Sequence, residues 1–157
     1  MRPDGAIMQD DGSTAEDQTL DQMVCFAIYS AGHAMNRVYK PLLDALGLTY
    51  PQYLVMLVLW ERDDLTVGQL GERLFLESST LTPLLKRLEA AGLLRRVRDS
   101  LDERQVRLLL TDAGRRRRGD AAAIPACVIK ATGRSLVELR RLQAELESLR
   151  RSLHEAA

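Results

Sequence analysis

A chain of 157 residues is long enough for one domain with a sizeable core, and 46% hydrophobic with 28% charged residues excludes a disordered or fibrous polypeptide. No apolar run reaches bilayer length and the first residues lack the order of a secretory signal, so no membrane partner and a cytoplasmic location are expected, with both cysteines as free thiols. The formal net charge of zero hides an uneven distribution: residues 1–72 carry 4 Lys/Arg and 11 Asp/Glu, residues 73–118 carry 12 and 6, and residues 119–157 carry 6 and 5. A basic segment within a neutral protein points to a local anionic partner, because charge acts over about 8–10 Å in physiological salt.

Residues 1–19, "MRPDGAIMQDDGSTAEDQT", are polar and acidic and are expected to form a flexible lead-in to a single domain over 20–157. Residues 20–46 predict a long helix, with Leu20, Val24, Ala27, Ile28, Ala31, Met35, Val38 and Leu42 near a 3.6-residue period and Pro41 in its last turns. Gly47 fits its C-cap and Pro51 the first turn of the next helix, "PQYLVMLVLWER", which is apolar nearly all round and therefore buried.

Thr66 caps a short helix through Leu74, and Ser78 or Ser79 is expected to cap a second. Leu81, Leu84, Leu85 and Leu88 form that helix's apolar stripe, Pro83 sits early enough to be tolerated, and Gly92 ends it. Two short helices and a tight turn make a helix-turn-helix. Val97, then Val106, Leu108 and Leu110, predict two strands about a turn at "DSLDE". Thr111 caps a further helix that Pro125 bends or breaks, and an amphipathic helix follows with Leu136, Leu139, Leu142, Leu146, Leu149 and Leu153 as its stripe. The fold class is thus mainly α with a small β-hairpin, a winged helix-turn-helix over 51–110.

The second helix turns Ser79, Thr80, Thr82, Lys86 and Arg87 outward beside Ser78; small hydroxyls near its start suit base edges and phosphates in a major groove. The hairpin offers Arg95, Arg96, Arg98, Arg104 and Arg107. Arg104 is the best candidate for insertion into a minor groove, with Asp102 fixing it through a salt bridge. Any one arginine alone is an ordinary solvated charge; the ordered series of helix, turn, hydroxyl-rich helix and basic hairpin points to DNA.

The segment "LTVGQLGERLFLESSTLTPLLKRLEAAGLLRRVRDSLDERQVRLLLTDAG" resembles the winged-helix core of the MarR family. The resemblance covers 20–153 and implies a homodimer bound to palindromic operator DNA, with helices at 20–46 and 111–157 forming the dimer interface. "CFAIYSAGHAMNRVYKPLLDALGLTYPQY" is similar to the organic-hydroperoxide-sensing branch of that family, the OhrR type. That branch carries a peroxide-reactive cysteine in its first helix and tyrosines four, fourteen and twenty-five positions later; Cys25, Tyr29, Tyr39 and Tyr50 match. Its two-cysteine subgroup adds a resolving cysteine where Cys127 falls. The resemblance implies organic hydroperoxides as inducer and an inter-subunit disulfide, whereas residues alone leave the same or the opposite subunit open, on a Cα separation below about 7 Å.

Helical arithmetic constrains this. Tyr29 lies one turn from Cys25 on the same face, but Tyr39 is about 21 Å further along a straight helix, so cooperation needs a second chain or a broken helix. Phenol hydroxyls donating to a thiolate lower its pKa, their rings keep the pocket apolar, and oxidation gives a sulfenic acid that a second thiol traps. The plain alternatives are cysteines packed as small hydrophobes and tyrosines as core or interface aromatics. His33 and His154 lack the neighbours of a catalytic base or metal site, Trp60 is expected in the core, and no cofactor or metal is expected. Two other functions remain: a repressor relieved by a small aromatic ligand, and a thiol peroxidase. The second lacks a CxxC motif and thioredoxin-like strand–helix alternation, so a non-enzyme is expected.

Overall fold

The computed structural model describes residues 19–157; the lead-in expected over 1–19 lies, but for Thr19, outside them. The chain divides into two units, 1–35 and 36–157. In the first, a 3-10 turn at Leu20–Gln22 precedes α1 (Val24–Asp44), which continues into the second. The long helix expected from Leu20 is therefore interrupted at Met23, whose backbone is extended. The first unit's large apolar side chains Leu20, Met23, Val24, Ile28 and Met35 are exposed.

In the second unit α1 ends three residues after Pro41, and Gly47 turns the chain with φ +67°. Thr49 caps α2 (Tyr50–Glu61): its hydroxyl accepts from Gln52 N and its N–H donates to Gln52 Oε1. Val55, Met56 and Leu59 of α2 are almost fully buried, as its all-round apolarity requires. Thr66 and Gln69 form the same reciprocal cap on α3 (Val67–Leu74). α4 (Ser78–Ala90) follows, with Leu81, Leu85 and Leu88 at 0–1% exposure. Each such leucine stabilises the packed state by roughly 1.5–3 kcal/mol.

The wing consists of β2 (Leu94–Arg98) and β3 (Val106–Leu110), antiparallel with Val97 opposite Arg107. A third strand, β1 (Leu65–Thr66), pairs with β3 through Leu65–Leu108 and Thr66–Arg107, giving sheet order β1-β3-β2. The sequence reading missed β1 because two residues carry no periodicity. Thr111 caps α5 (Asp112–Asp120), its hydroxyl accepting from Gly114 N. The expected single helix ends at Asp120, ahead of Pro125, which occupies the first turn of α6 (Ile124–Thr132), where a missing N–H costs nothing. α7 (Leu136–Ala156) closes the chain with no buried residue; Leu136, Leu142, Leu146 and Leu153 are exposed.

One core joins α2, α3, α4 and the sheet around Val55, Leu70, Leu85 and Leu108; a second joins the end of α1, α2 and α6 around Leu43, Tyr53, Ile124 and Val128. Trp60 packs against both and donates from Nε1 to the Gly114 carbonyl at 2.9 Å.

Candidate nucleic-acid interface and cysteine–tyrosine groups

α4 presents its leucines inward and Ser78, Ser79, Thr80, Thr82, Lys86 and Arg87 to solvent. Neither serine caps it. The N-cap is Glu77, whose carbonyl accepts from Thr80 N at 3.0 Å and Leu81 N at 3.1 Å with no side-chain bond. Both serine hydroxyls thus sit within the first turn, free of a capping role. Thr82 donates its hydroxyl to the Ser78 carbonyl at 2.8 Å, so toward a ligand it serves as an acceptor.

The wing arginines divide into two groups. Arg104 lies in the turn at 92% exposure, and its Nε meets Asp102 Oδ1 at 3.1 Å, the pair expected from the sequence. That hydrogen bond, with the Arg104 backbone N–H, holds the Asp102 carboxyl below the usual range. Arg98 donates weakly to the Glu103 carbonyl at 3.3 Å, and Arg95 is exposed without an ion pair among the described residues. Arg96 is otherwise engaged: its N–H and its guanidinium both bind Glu89, at 2.9 and 2.8 Å, pinning β2 to α4 and lowering the Glu89 pKa. Arg96, expected from the sequence among the DNA-binding residues of the wing, thus has its guanidinium paired with Glu89. Arg107 turns inward to Asp64 and Asp99. Most of "RRRR" at 115–118 is also tied down, Arg115 to Asp63 and Asp112, Arg117 to Asp120, and Arg118 to the Trp60 carbonyl. A concavity of about 710 Å³ opens between the start of α3, α4 and the wing, lined by Thr66, Gln69, Ser78, Thr82, Arg104 and Gln105. Sequence reasoning missed Asp63, Asp64 and Asp99; only Asp99, ahead of a turn, carried a local signal.

In the first unit Cys25 is free and exposed, and Tyr29 packs edge-on against His33 with ring centres 4.4 Å apart. In the second, Tyr39 and Tyr50 lie 4.7 Å apart, and Tyr53 is 6.0 Å from Tyr39. Burial, then the neighbouring Tyr50 and Tyr53, push the Tyr39 pKa up to about 12, and burial raises that of Tyr50. A cavity of about 240 Å³ adjoins the pair, lined also by Asn36, Lys40, Leu43 and Leu48. Cys127, on α6, is free and exposed too, so neither thiol packs as a buried hydrophobe in this chain. Among the described residues no cluster of His, Cys, Asp or Glu can hold a metal, and no helix is long and apolar enough to cross a membrane.

A helix-turn-helix with its leucines in the core, a flanking hairpin with an exposed basic tip and an exposed row of hydroxyls on α4 define a winged-helix DNA-binding regulator. Residues 37–119 match the family model for the transcriptional regulator SarA/Rot, and the chain belongs to the MarR/SarA-type winged-helix family of transcriptional regulators. It is 51% identical over 155 residues to the HTH-type transcriptional regulator TtmR of Methylorubrum extorquens, covering 99% of this chain and 79% of that protein. It is 43% identical over 136 residues to the organic hydroperoxide resistance transcriptional regulator of Bacillus subtilis, covering 87% of this chain and 92% of that one. Among solved structures, reduced AbfR bound to DNA, a Staphylococcus epidermidis protein, superposes with TM-score 0.76 at 33% identity over 87% of this chain and 93% of its own. The disulfide-formed state of AbfR superposes less well, with TM-score 0.59.

Proposed function

We propose that this regulator is a redox-sensing repressor that leaves its operator when an organic hydroperoxide oxidises Cys25. The observation that carries the reading is the aromatic group of Tyr39 and Tyr50 beside a small cavity. Phenols with their protons in place can donate to a thiolate, and the surrounding rings favour an alkyl peroxide.

The thiolate attacks the peroxide's distal oxygen; the O–O bond breaks, the alcohol leaves and Cys25 becomes a sulfenic acid. The Cys127 thiol then displaces water to form a disulfide. In this reading Tyr39 and Tyr50 serve the cysteine of a partner subunit, as the resemblance to the OhrR type implies. The exposed stripes of α1 and α7 support a homodimer. On palindromic operator DNA, Ser78, Ser79, Thr80 and Thr82 read the major groove, Lys86, Arg87 and Arg98 meet phosphates, and Arg104, braced by Asp102, enters the minor groove. The TM-score is lower to disulfide-formed AbfR (0.59) than to its reduced (0.76) or overoxidised (0.73) DNA-bound forms, which supports a shape change on disulfide formation.

The test is an electrophoretic shift with cumene hydroperoxide. Wild type is expected to leave the DNA and Cys25→Ser to stay bound. Release of Cys25→Ser by the peroxide refutes the sensor role. On non-reducing gels a peroxide-dependent dimer band is expected that Cys127→Ser abolishes; its persistence in that variant removes Cys127 as the resolving thiol.

A further inference from the structure

Arg107 lies on β3, paired in register with Thr66 of β1 and Val97 of β2. Its guanidinium spends its donors inward: Nε meets Asp64 Oδ1 at 2.6 Å, Nη2 the Asp64 carbonyl at 2.7 Å, and Nη1 Asp99 Oδ2 at 2.9 Å. Asp64 adopts a left-handed φ of 60°, an unfavourable conformation for a non-glycine residue that two of these bonds hold in place. Asp99 is 8% exposed, and its other oxygen accepts from Leu101 N at 2.7 Å and Asp102 N at 3.1 Å, the amides that open the wing turn. Asp102 in turn holds Arg104 through its N–H and its Nε, both at 3.1 Å. Every link from Asp64 through Arg107, Asp99 and Asp102 to Arg104 is a hydrogen bond or the turn between.

A two-stranded hairpin is marginally stable alone, and here its third strand is only two residues long. The Arg107 bridge supplies the missing restraint between the wing and the segment that enters α3. Ordering a loop on binding consumes affinity, and a loop ordered beforehand does not. We propose that Arg107 is a positioning residue for DNA recognition: clamped between Asp64 and Asp99, it holds the wing so that Arg104 reaches the minor groove already oriented. This rests on the assignment of Arg104 to that groove.

The mode of action separates this role from a phosphate contact. Loss of a phosphate-binding cation lowers the slope of log affinity against log salt by about 1, whereas loss of a positioning residue leaves it unchanged. The probe is the duplex that the wild-type protein enriches from a randomised pool, followed by fluorescence anisotropy under reducing conditions across a salt series. Arg104→Ala is expected to weaken binding about tenfold. Arg107→Met is expected to weaken it about three- to tenfold with the salt slope unchanged, but by less than about twofold once Arg104 is already alanine. Asp99→Asn, which keeps an acceptor for the turn amides and discards the charge facing Arg107, repeats the pattern and guards against misfolding of the methionine variant. The proposal is overturned if the losses multiply in the double variant, if Arg107→Met lowers the slope by about 1, or if Arg107→Met and Asp99→Asn bind like wild type. Wild-type binding by Arg104→Ala overturns the minor-groove assignment itself, and the positioning role with it.

Discussion

Tyr39 shows how a single side chain acquires a property its neighbours dictate. A tyrosine in water ionises near 10, but half-burial beside Tyr50 and Tyr53 disfavours a phenolate and moves Tyr39 to about 12. Because the folded value is raised, its contribution to stability is complete below 10.0 and is lost as pH rises from there toward 12. An ultraviolet titration is therefore expected to show a late tyrosine transition near 12 that Tyr39→Phe removes, together with a shallower alkaline loss of stability in that variant. A Tyr39 transition at the ordinary value would contradict the packing of the cluster. The spacing of Cys25, Tyr29, Tyr39 and Tyr50 was visible along the chain, whereas the tilted contact of Tyr39 with Tyr50 was not, since it depends on how the end of α1 meets α2. Asp64 and Glu89 escaped notice for a similar reason: an acid's ion pair has no pattern until its arginine is found.

At the level of elements, caps were the most legible feature. Thr66 and Thr111 each precede a helix and each accept from its first turn, because a hydroxyl satisfying an orphan N–H is a local event; Thr49 does the same for α2, where the sequence reading had marked only Gly47 and Pro51. Ser78 and Ser79 broke the pattern; the backbone of Glu77 already closes the first turn of α4, and the hydroxyls are left for other work. Close approach was harder to foresee. Gly114 in α5 lies against the Leu93 carbonyl and the Leu110 side chain, so a Cβ there has nowhere to go. Gly119, in the same helix, faces open space. Gly114→Ala is expected to lower unfolding stability by roughly 1–3 kcal/mol or more, while Gly119→Ala is neutral or raises it by up to about 1 kcal/mol. Denaturant midpoints measure both, and equal effects would mean that α5 does not press on the start of β2.

For the molecule as a whole, the most informative feature is apolar surface with nothing on it. α7 has no buried residue, yet Leu142 and Leu146 continue a leucine stripe along it. Contiguous exposed leucines at helical spacing belong in an interface, and a second copy of this chain would supply the matching stripe. Leu146→Asp is expected to shift the protein from dimer to monomer, weakening self-association at least tenfold in sedimentation equilibrium and weakening operator binding with it. An unchanged dimer would place the interface elsewhere. Charge behaves differently at this scale. The 12 basic residues over 73–118 cluster on and around the winged helix, but ion pairs with Glu89, Asp64, Asp99, Asp63 and Asp112 occupy several of them.

The order of helices, the helix-turn-helix, the wing and the outward hydroxyl face of α4 were determined by sequence alone, because periodicity, caps and turn residues act over a few positions. Only the tertiary structure decided which arginines are free for DNA and which are tied down. Arg107 finds Asp64 at a separation of 43 residues and Arg115 finds Asp63 at 52, distances over which no local pattern reaches. A guanidinium is drawn to the nearest well-placed carboxylate, and what is nearest is set by the packed chain.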